Sequence, residues 1–122
     1  MDPKNLSQAD LAQFMGVDRT TIRAWTVLGM PYKKPAAKGA KAGFCSSICI
    51  HWKIGHRITE SRRGDFSPLQ KVAIGWYSGF RDSHLTGEDE SAFLEMMGAA
   101  GLNRESAFRQ LEFARGYWSL MA

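Results

Sequence analysis

Residues 8–27 have the sequence QADLAQFMGVDRTTIRAWTV, and this stretch decides the fold of the N-terminal half. Gly16 divides it into two segments, and each segment repeats apolar residues at the spacing of an α-helix. Gly16 suits a left-handed turn, and Asp18 is a favoured N-cap for the segment that follows. The stretch therefore predicts two short helices, Gln8–Met15 and Arg19–Leu28, joined by a tight turn.

The small and apolar residues around Gly16 occupy the positions that a DNA-binding helix-turn-helix requires. Such a motif needs a small residue in its first helix, a glycine in the turn and apolar residues at fixed distances from that glycine. The residues that meet these requirements are Leu11, Ala12, Met15, Val17, Ile22 and Trp25. Because every position matches without a gap, the second helix is predicted to enter the major groove of double-stranded DNA.

The outward face of the second helix carries polar side chains. Arginine can donate two hydrogen bonds to a guanine, and threonine can contact a phosphate or a thymine methyl group. The candidate base-contacting residues are Arg19, Thr20, Arg23 and Thr26. The alternative is that the two arginines serve only as solubilising charges.

Residues 32–43 form a small, basic stretch that is predicted to be an exposed loop or a β-hairpin wing. Spaced lysines on such a segment can follow a phosphate backbone or a minor groove. The candidate phosphate-contacting residues are Lys33, Lys34, Lys38 and Lys41, with Arg62 and Arg63 further along the chain. The alternative is a loop that is merely solvated.

The net charge of +4 conceals an asymmetry between the two halves of the 122-residue chain. Residues 1–63 carry a charge of +7, and residues 64–122 carry −3. A basic half beside an acidic half predicts a polyanion-binding module joined to a part with another role. The sequence has neither an apolar run of the ~20 residues that span a bilayer nor an apolar segment behind its N-terminus. We therefore expect a soluble cytosolic protein.

Three further helix starts are predicted in the second half of the chain. Ser67-Pro68 is a cap followed by proline at the first helical position. Thr86 and Asp89, three residues apart, are typical of a capping box. Asn103 is a favoured cap for the last helix.

The predicted fold class is all-α, with a third helix in the N-terminal half that is capped by Ser46 or Ser47. Its organisation is a winged helix-turn-helix DNA-binding domain over residues 1–60, a linker over 61–66 and a helical oligomerisation domain over 67–122. The last helix is apolar on two sides, which is typical of a helix that is buried on two sides.

A small domain has few helices with which to cover such a surface, so we expect another subunit to bury part of it. The candidate oligomerisation residues are aromatic or apolar side chains of the second half. They are Trp76, Phe80, Phe108, Leu111, Phe113, Tyr117 and Trp118.

Cys45, Cys49, His51 and His56 lie within twelve residues but do not predict a metal site. A structural zinc site needs four ligands that converge tetrahedrally, whereas Cys49 and His51 point to different faces of a helix. The chain also has no phosphate-binding Gly-x-x-x-x-Gly-Lys-Ser/Thr loop. We therefore expect no metal, no cofactor and no catalytic activity.

Residues 11–31, LAQFMGVDRTTIRAWTVLGMP, go further than a generic motif. Together with the basic, glycine-containing stretch that follows and with Trp52 in a third helix, they resemble a known domain. It is the N-terminal DNA-binding domain of the small terminase subunit of tailed bacteriophages, most closely the lambda type. The resemblance covers residues 6 to about 58, and the segment from Trp25 to Pro31 is its most specific part.

The resemblance implies a winged helix-turn-helix that recognises the packaging site on viral DNA. Such proteins assemble as ring-like homo-oligomers. They recruit and regulate a large terminase subunit that carries the ATPase and the nuclease. It also implies that residues 67–122 form the oligomerisation region and that the protein works in the cytoplasm of an infected bacterium, away from membranes. No pattern specific to the family follows residue 60.

Two other interpretations are open at this point. A small phage or bacterial transcription regulator, or an excisionase-like protein, would use the same winged motif as a dimer on an operator. A protein adaptor would keep the helix-turn-helix without contacting DNA. In that case, replacing Arg19 and Arg23 by alanine would leave any DNA binding and its salt dependence unchanged.

Overall fold

The computed structural model describes residues 6–34, 42–61, 64–80 and 85–121. Over these residues the protein is mainly helical, which confirms the predicted all-α class. Their helices are α1 (Gln8–Met15), α2 (Arg19–Val27), α3 (Ser46–Thr59), α4 (Pro68–Tyr77), α5 (Gly87–Ala99) and α6 (Arg104–Met121). Outside the helices, β-type pairing within the described residues is limited to two isolated antiparallel bridges.

The first two helices and the turn between them match the prediction closely. The Ser7 hydroxyl accepts a hydrogen bond from the Asp10 N–H at 3.1 Å and caps α1. Gly16 ends α1 with a φ of 70°, a conformation that costs glycine little. Asp18 is the N-cap of α2, although its side chain makes no capping hydrogen bond. Helix α2 ends at Val27, one residue earlier than predicted.

The chain leaves α2 through Gly29, whose φ is 114°. Two bridges then bring distant parts of the N-terminal half together. Lys33 and Gly43 exchange backbone hydrogen bonds of 2.7 and 2.9 Å, and Phe44 pairs in the same way with Leu6. The two bridges therefore connect the segment after α2, the segment before α3 and the segment before α1.

Helix α3 begins earlier than the sequence predicts. The prediction that Ser46 or Ser47 caps it was wrong, because Cys45 is the N-cap and Ser46 is the first helical residue. The bridge at Phe44 keeps the backbone extended up to Cys45, whose carbonyl accepts from the Cys49 N–H at 3.0 Å. A tertiary contact thus sets this helix start in place of a side-chain cap.

Helices α3 and α4 cross with their backbones in contact. A Cβ atom built on Gly55 would lie 1.7 Å from the Lys71 carbonyl oxygen. One built on Gly75 would lie 2.0 Å from the His51 carbonyl oxygen. Only glycine fits at these two positions, so the crossing fixes α4 rigidly against α3.

The helix starts of the second half are set by local side-chain caps. Ser67 and Gln70 form a capping box at α4, with Pro68 at the first helical position. Thr86 and Asp89 form the predicted capping box at α5. Asn103 accepts a hydrogen bond of 2.8 Å from an N–H in the first turn of α6, so its predicted role is also confirmed.

One continuous cluster of buried residues runs through both halves. Its members are Leu6, Leu11, Ala12, Ile22, Met30, Phe44, Ile48, Cys49, Trp52, Val72, Ala73, Trp76, Phe93, Met97, Ala107, Leu111 and Ala114. The domain boundary at residues 61–66 stays a prediction. The helices on its two sides, α3 and α4, nevertheless pack against each other and share this core.

Candidate nucleic-acid interface

Helix α2 is held by its inner side. The side chain of Ile22 is completely buried in the core. The side-chain amide of Gln8 in α1 donates to the Arg19 carbonyl oxygen at 2.9 Å. These contacts fix the rotation of α2 about its axis, and so they fix which side chains it presents to solvent.

Three of the four candidate base-contacting residues, Arg19, Thr20 and Arg23, are exposed on α2. The ion pairs between described residues all lie within and between α5 and α6. Neither arginine is therefore neutralised by a described carboxylate. Two exposed guanidinium groups four residues apart on one helix face form a local positive surface that fits an anionic partner.

Thr26, the fourth candidate, is partly buried near the end of α2. Its hydroxyl donates to the Arg23 carbonyl oxygen at 2.6 Å. The hydroxyl proton is thus engaged within the helix, and the oxygen keeps acceptor capacity only. Thr26 is consequently less suited than Arg19 or Arg23 to donate a hydrogen bond to a phosphate.

Exposed lysines follow α2 at the base of the predicted wing. Lys33 pairs through its backbone with Gly43, which leaves its side chain and that of Lys34 in solvent. Tyr32 stacks on Phe44 with ring centroids 5.6 Å apart. The remaining predicted phosphate-contacting residues, Lys38, Lys41, Arg62 and Arg63, lie outside the described residues.

The basic residues of α3 and α4 are not among the predicted DNA-contacting residues. Lys53 lies over the Trp25 ring, with its Nζ atom 4.9 Å from the ring centroid. Lys71 of α4 lies 3.1 Å from the Nδ1 atom of His56. The spacing of Lys53 and Arg57, four residues apart on one helix, was the signal that could have drawn attention to this surface.

The predicted oligomerisation residues differ widely in exposure. Trp76, Leu111 and Tyr117 are buried within the chain itself, and Phe108 is 45% exposed. The other three are partly buried, namely Phe80, Phe113 and Trp118. Leu120, near the end of the same helix, is 86% exposed. Phe108 and Leu120 are therefore two separate exposed apolar side chains of α6, about 18 Å apart along the helix.

Cys49 and His51 are held by backbone groups. The Cys49 thiol donates to the Pro31 carbonyl oxygen at 3.7 Å, and burial, reinforced by Cys45, raises the pKa of Cys49 to about 12. His51 shares a hydrogen bond of 2.7 Å with the Ser47 carbonyl. Burial lowers the pKa of His51 despite this bond. Among the described residues, no group of three or more His, Cys, Asp or Glu side chains is placed to hold a metal ion.

No protein-family model matches this chain, and no curated protein matches it. None of the helices in the described part of the chain is both long and apolar enough to pass through a lipid bilayer.

Proposed function

We propose that this protein binds double-stranded DNA through a winged helix-turn-helix in which α2 is the recognition helix. The observation that carries the proposal is the exposure of Arg19, Thr20 and Arg23 on a helix whose opposite side is anchored by Ile22. Helix α1 braces α2, as the first helix of such a motif does. The bridge between Lys33 and Gly43 fits the base of a hairpin wing.

The charge distribution supports the same proposal. The N-terminal half carries +7, and four of its exposed basic residues lie on α2 and directly after it, namely Arg19, Arg23, Lys33 and Lys34. Arginine side chains at the groove would contact guanine edges, while the lysines would contact phosphates and position the helix. Binding of this kind weakens steeply as the salt concentration rises, because bound phosphates release their counterions.

The test is the double variant Arg19→Ala, Arg23→Ala, measured by fluorescence anisotropy on a labelled duplex over a series of salt concentrations. Loss of a base-contacting arginine costs about 1–3 kcal/mol, so the double variant should bind at least about tenfold more weakly. A matched control is Arg104→Ala, Arg109→Ala, which removes the same charge from exposed positions of α6. Equal effects of the two double variants would contradict recognition by α2.

We further propose that the protein acts as the small subunit of a phage terminase, which gathers on viral DNA as a homo-oligomer and recruits a large ATPase-nuclease subunit. The resemblance over residues 6 to about 58 supports this role. The exposed Phe108 and Leu120 on α6 offer apolar surface for association.

Light scattering with and without duplex DNA tests the assembly. A particle of several subunits is expected, and Phe108→Ser with Leu120→Ser should shift it toward the monomer. The control Ser119→Ala changes an exposed position beside Leu120 without adding a polar group. A simple dimer on a palindromic site, with no effect on any ATPase, would instead favour a transcription regulator or an excisionase-like protein.

A further inference from the structure

A cluster of basic side chains lies on α3 beside its crossing with α4. Lys53 is three residues from His56 and four from Arg57, so these side chains are neighbours on the surface of α3, and Lys71 of α4 contacts His56. Because the Lys71 carbonyl lies directly against Gly55, the backbone of Lys71 cannot shift relative to α3. The close helix crossing therefore fixes the base of the Lys71 side chain next to His56.

The hydrogen bond between Lys71 and His56 determines which nitrogen of the imidazole carries its proton. An ammonium group has donors only, so Lys71 Nζ donates to His56 Nδ1 over 3.1 Å. The neutral ring then carries its proton on Nε2, which is a donor. The ring also stacks on Trp52, with centroids 4.7 Å apart and planes inclined by 10°. His56 is thus held as an oriented donor beside a fixed cation.

The charge in this cluster is unbalanced. Burial lowers the pKa of His56, and Lys71 and Lys53 lower it further, while Glu60 acts in the opposite direction. None of the ion pairs between described residues includes Lys53, Arg57 or Lys71. Few carboxylates lie near these positive groups. An anion with several acceptor oxygens would therefore be attracted to them and would accept their hydrogen bonds.

The cluster is separate from the exposed face of α2. Lys53 reaches α2 through Trp25, which packs against the core. At about 100° per residue, Trp25 lies roughly 160° around α2 from Arg23 and roughly 120° from Arg19. A duplex that lies along Arg19 and Arg23 would therefore approach the protein from a different side.

We propose that Lys53, His56, Arg57 and Lys71 form a second phosphate-binding site, which takes the phosphodiester groups of duplex DNA outside the segment contacted by α2. Lys71 and Arg57 supply charge, and His56 supplies a fixed N–H donor. The DNA source rests on the proposed function, whereas binding of a phosphate group as such does not. With two separate contact surfaces, one protein would hold two DNA segments or one bent segment.

The first experiment measures DNA affinity against salt for the variants Lys71→Met and Lys53→Met. One lost phosphate contact makes the slope of log affinity against log salt less steep by about 0.9. Between 1 M and 0.1 M salt, the variant should therefore gain about eightfold less affinity than the parent protein. Lys71→Arg should restore most of the slope. Arg104→Met removes one charge from α6, outside the cluster, and should leave the slope nearly unchanged.

The second experiment follows the ring proton of His56 by NMR while the pH is varied between about 5 and 8. The resonance is assigned with the variant His56→Gln. Adding a short duplex should raise the pKa of His56, because a nearby phosphate favours the charged ring. Inorganic phosphate and ATP are tested in parallel to separate DNA from free phosphates.

The outcomes distinguish this proposal from the one about α2. An unchanged pKa of His56 with duplex, or equal slopes for Lys71→Met and Arg104→Met, would overturn it. A response to inorganic phosphate or ATP without a response to duplex would overturn the assignment to DNA. If Arg19→Ala, Arg23→Ala leaves binding intact while Lys71→Met weakens it, recognition by α2 fails and the second site stands.

Discussion

Replacing Gly75 by alanine is expected to force α3 and α4 apart, because the new methyl group would meet backbone rather than a movable side chain. Its carbon would lie 2.0 Å from the His51 carbonyl oxygen and 2.8 Å from the Gly55 nitrogen. A close carbon–oxygen contact needs about 3.3 Å. The helices would therefore have to separate by about 1.3 Å at their crossing.

Two opposing effects determine the size of the loss. Alanine favours a helix over glycine by about 0.8–1.0 kcal/mol. Overpacking a core costs about 1–3 kcal/mol, and the upper end applies here because neither backbone can move independently. The separation also disturbs the completely buried Val72 and Ala73 of α4. The free energy of unfolding should fall by about 2 kcal/mol, which lowers Tm by about 8 °C in a chain of this size.

Urea denaturation followed by tryptophan fluorescence measures this change. The matched control is Gly116→Ala on α6, an exposed glycine with nothing within 4 Å of an added Cβ atom. That variant should be more stable than the parent protein by up to about 1 kcal/mol. If Gly75→Ala is as stable as Gly116→Ala, the backbones of α3 and α4 are not in contact and the reasoning is refuted.

Three further predictions follow from the caps and the buried titratable groups. In the native protein a thiol reagent should label Cys45 but not the fully buried Cys49, whose pKa is raised to about 12, and both should react in urea. Rapid labelling of both native thiols would contradict this burial. The free energy of unfolding should fall as the pH drops below about 6.5, because the folded state lowers the pKa of His51 and so resists the proton that the unfolded chain accepts. The free energy of unfolding should also fall as the pH rises above about 9, because the unfolded chain loses the Cys49 proton that the folded chain retains. Urea unfolding at several pH values checks both limbs, and a flat profile would argue against them. Thr86→Ala should cost about 1 kcal/mol through loss of the α5 capping box, whereas Thr86→Ser should keep most of it. Equal denaturation midpoints for these two variants would show that the cap contributes nothing.

The parts of the fold that could be predicted from the sequence depend on local signals. Gly16 supplies the turn conformation through its own φ, and Thr86 and Asp89 cap α5 within a single turn. The α3–α4 crossing could not be predicted, because helical spacing alone does not identify the distant backbone that will lie against Gly55 or Gly75. For the same reason the sequence places the start of α3 wrongly, since the bridge at Phe44 depends on Leu6, which is far away in sequence.

The residues of the candidate sites also fall into two groups, those that a local sequence pattern predicts and those that only the tertiary structure brings together. The exposure of Arg19 and Arg23 follows from the apolar pattern of α2, which alone indicates the inner side of the helix. The pairing of Lys71 with His56 joins residues on two helices, so no local spacing reveals it. A site on one face of a single helix can thus be predicted from the sequence. A site formed by residues of two crossing helices can be identified only from the tertiary structure.

Helix α3 connects the two halves of the chain in a way that bears on how they work together. It packs against α1 in the N-terminal half and against α4 along the glycine crossing, and its Trp52 is completely buried in the common core. A packed interior does not deform gradually, so a shift of α3 must be followed by its neighbours. The basic half and the acidic half therefore share one packed interior, although their net charges are opposite in sign.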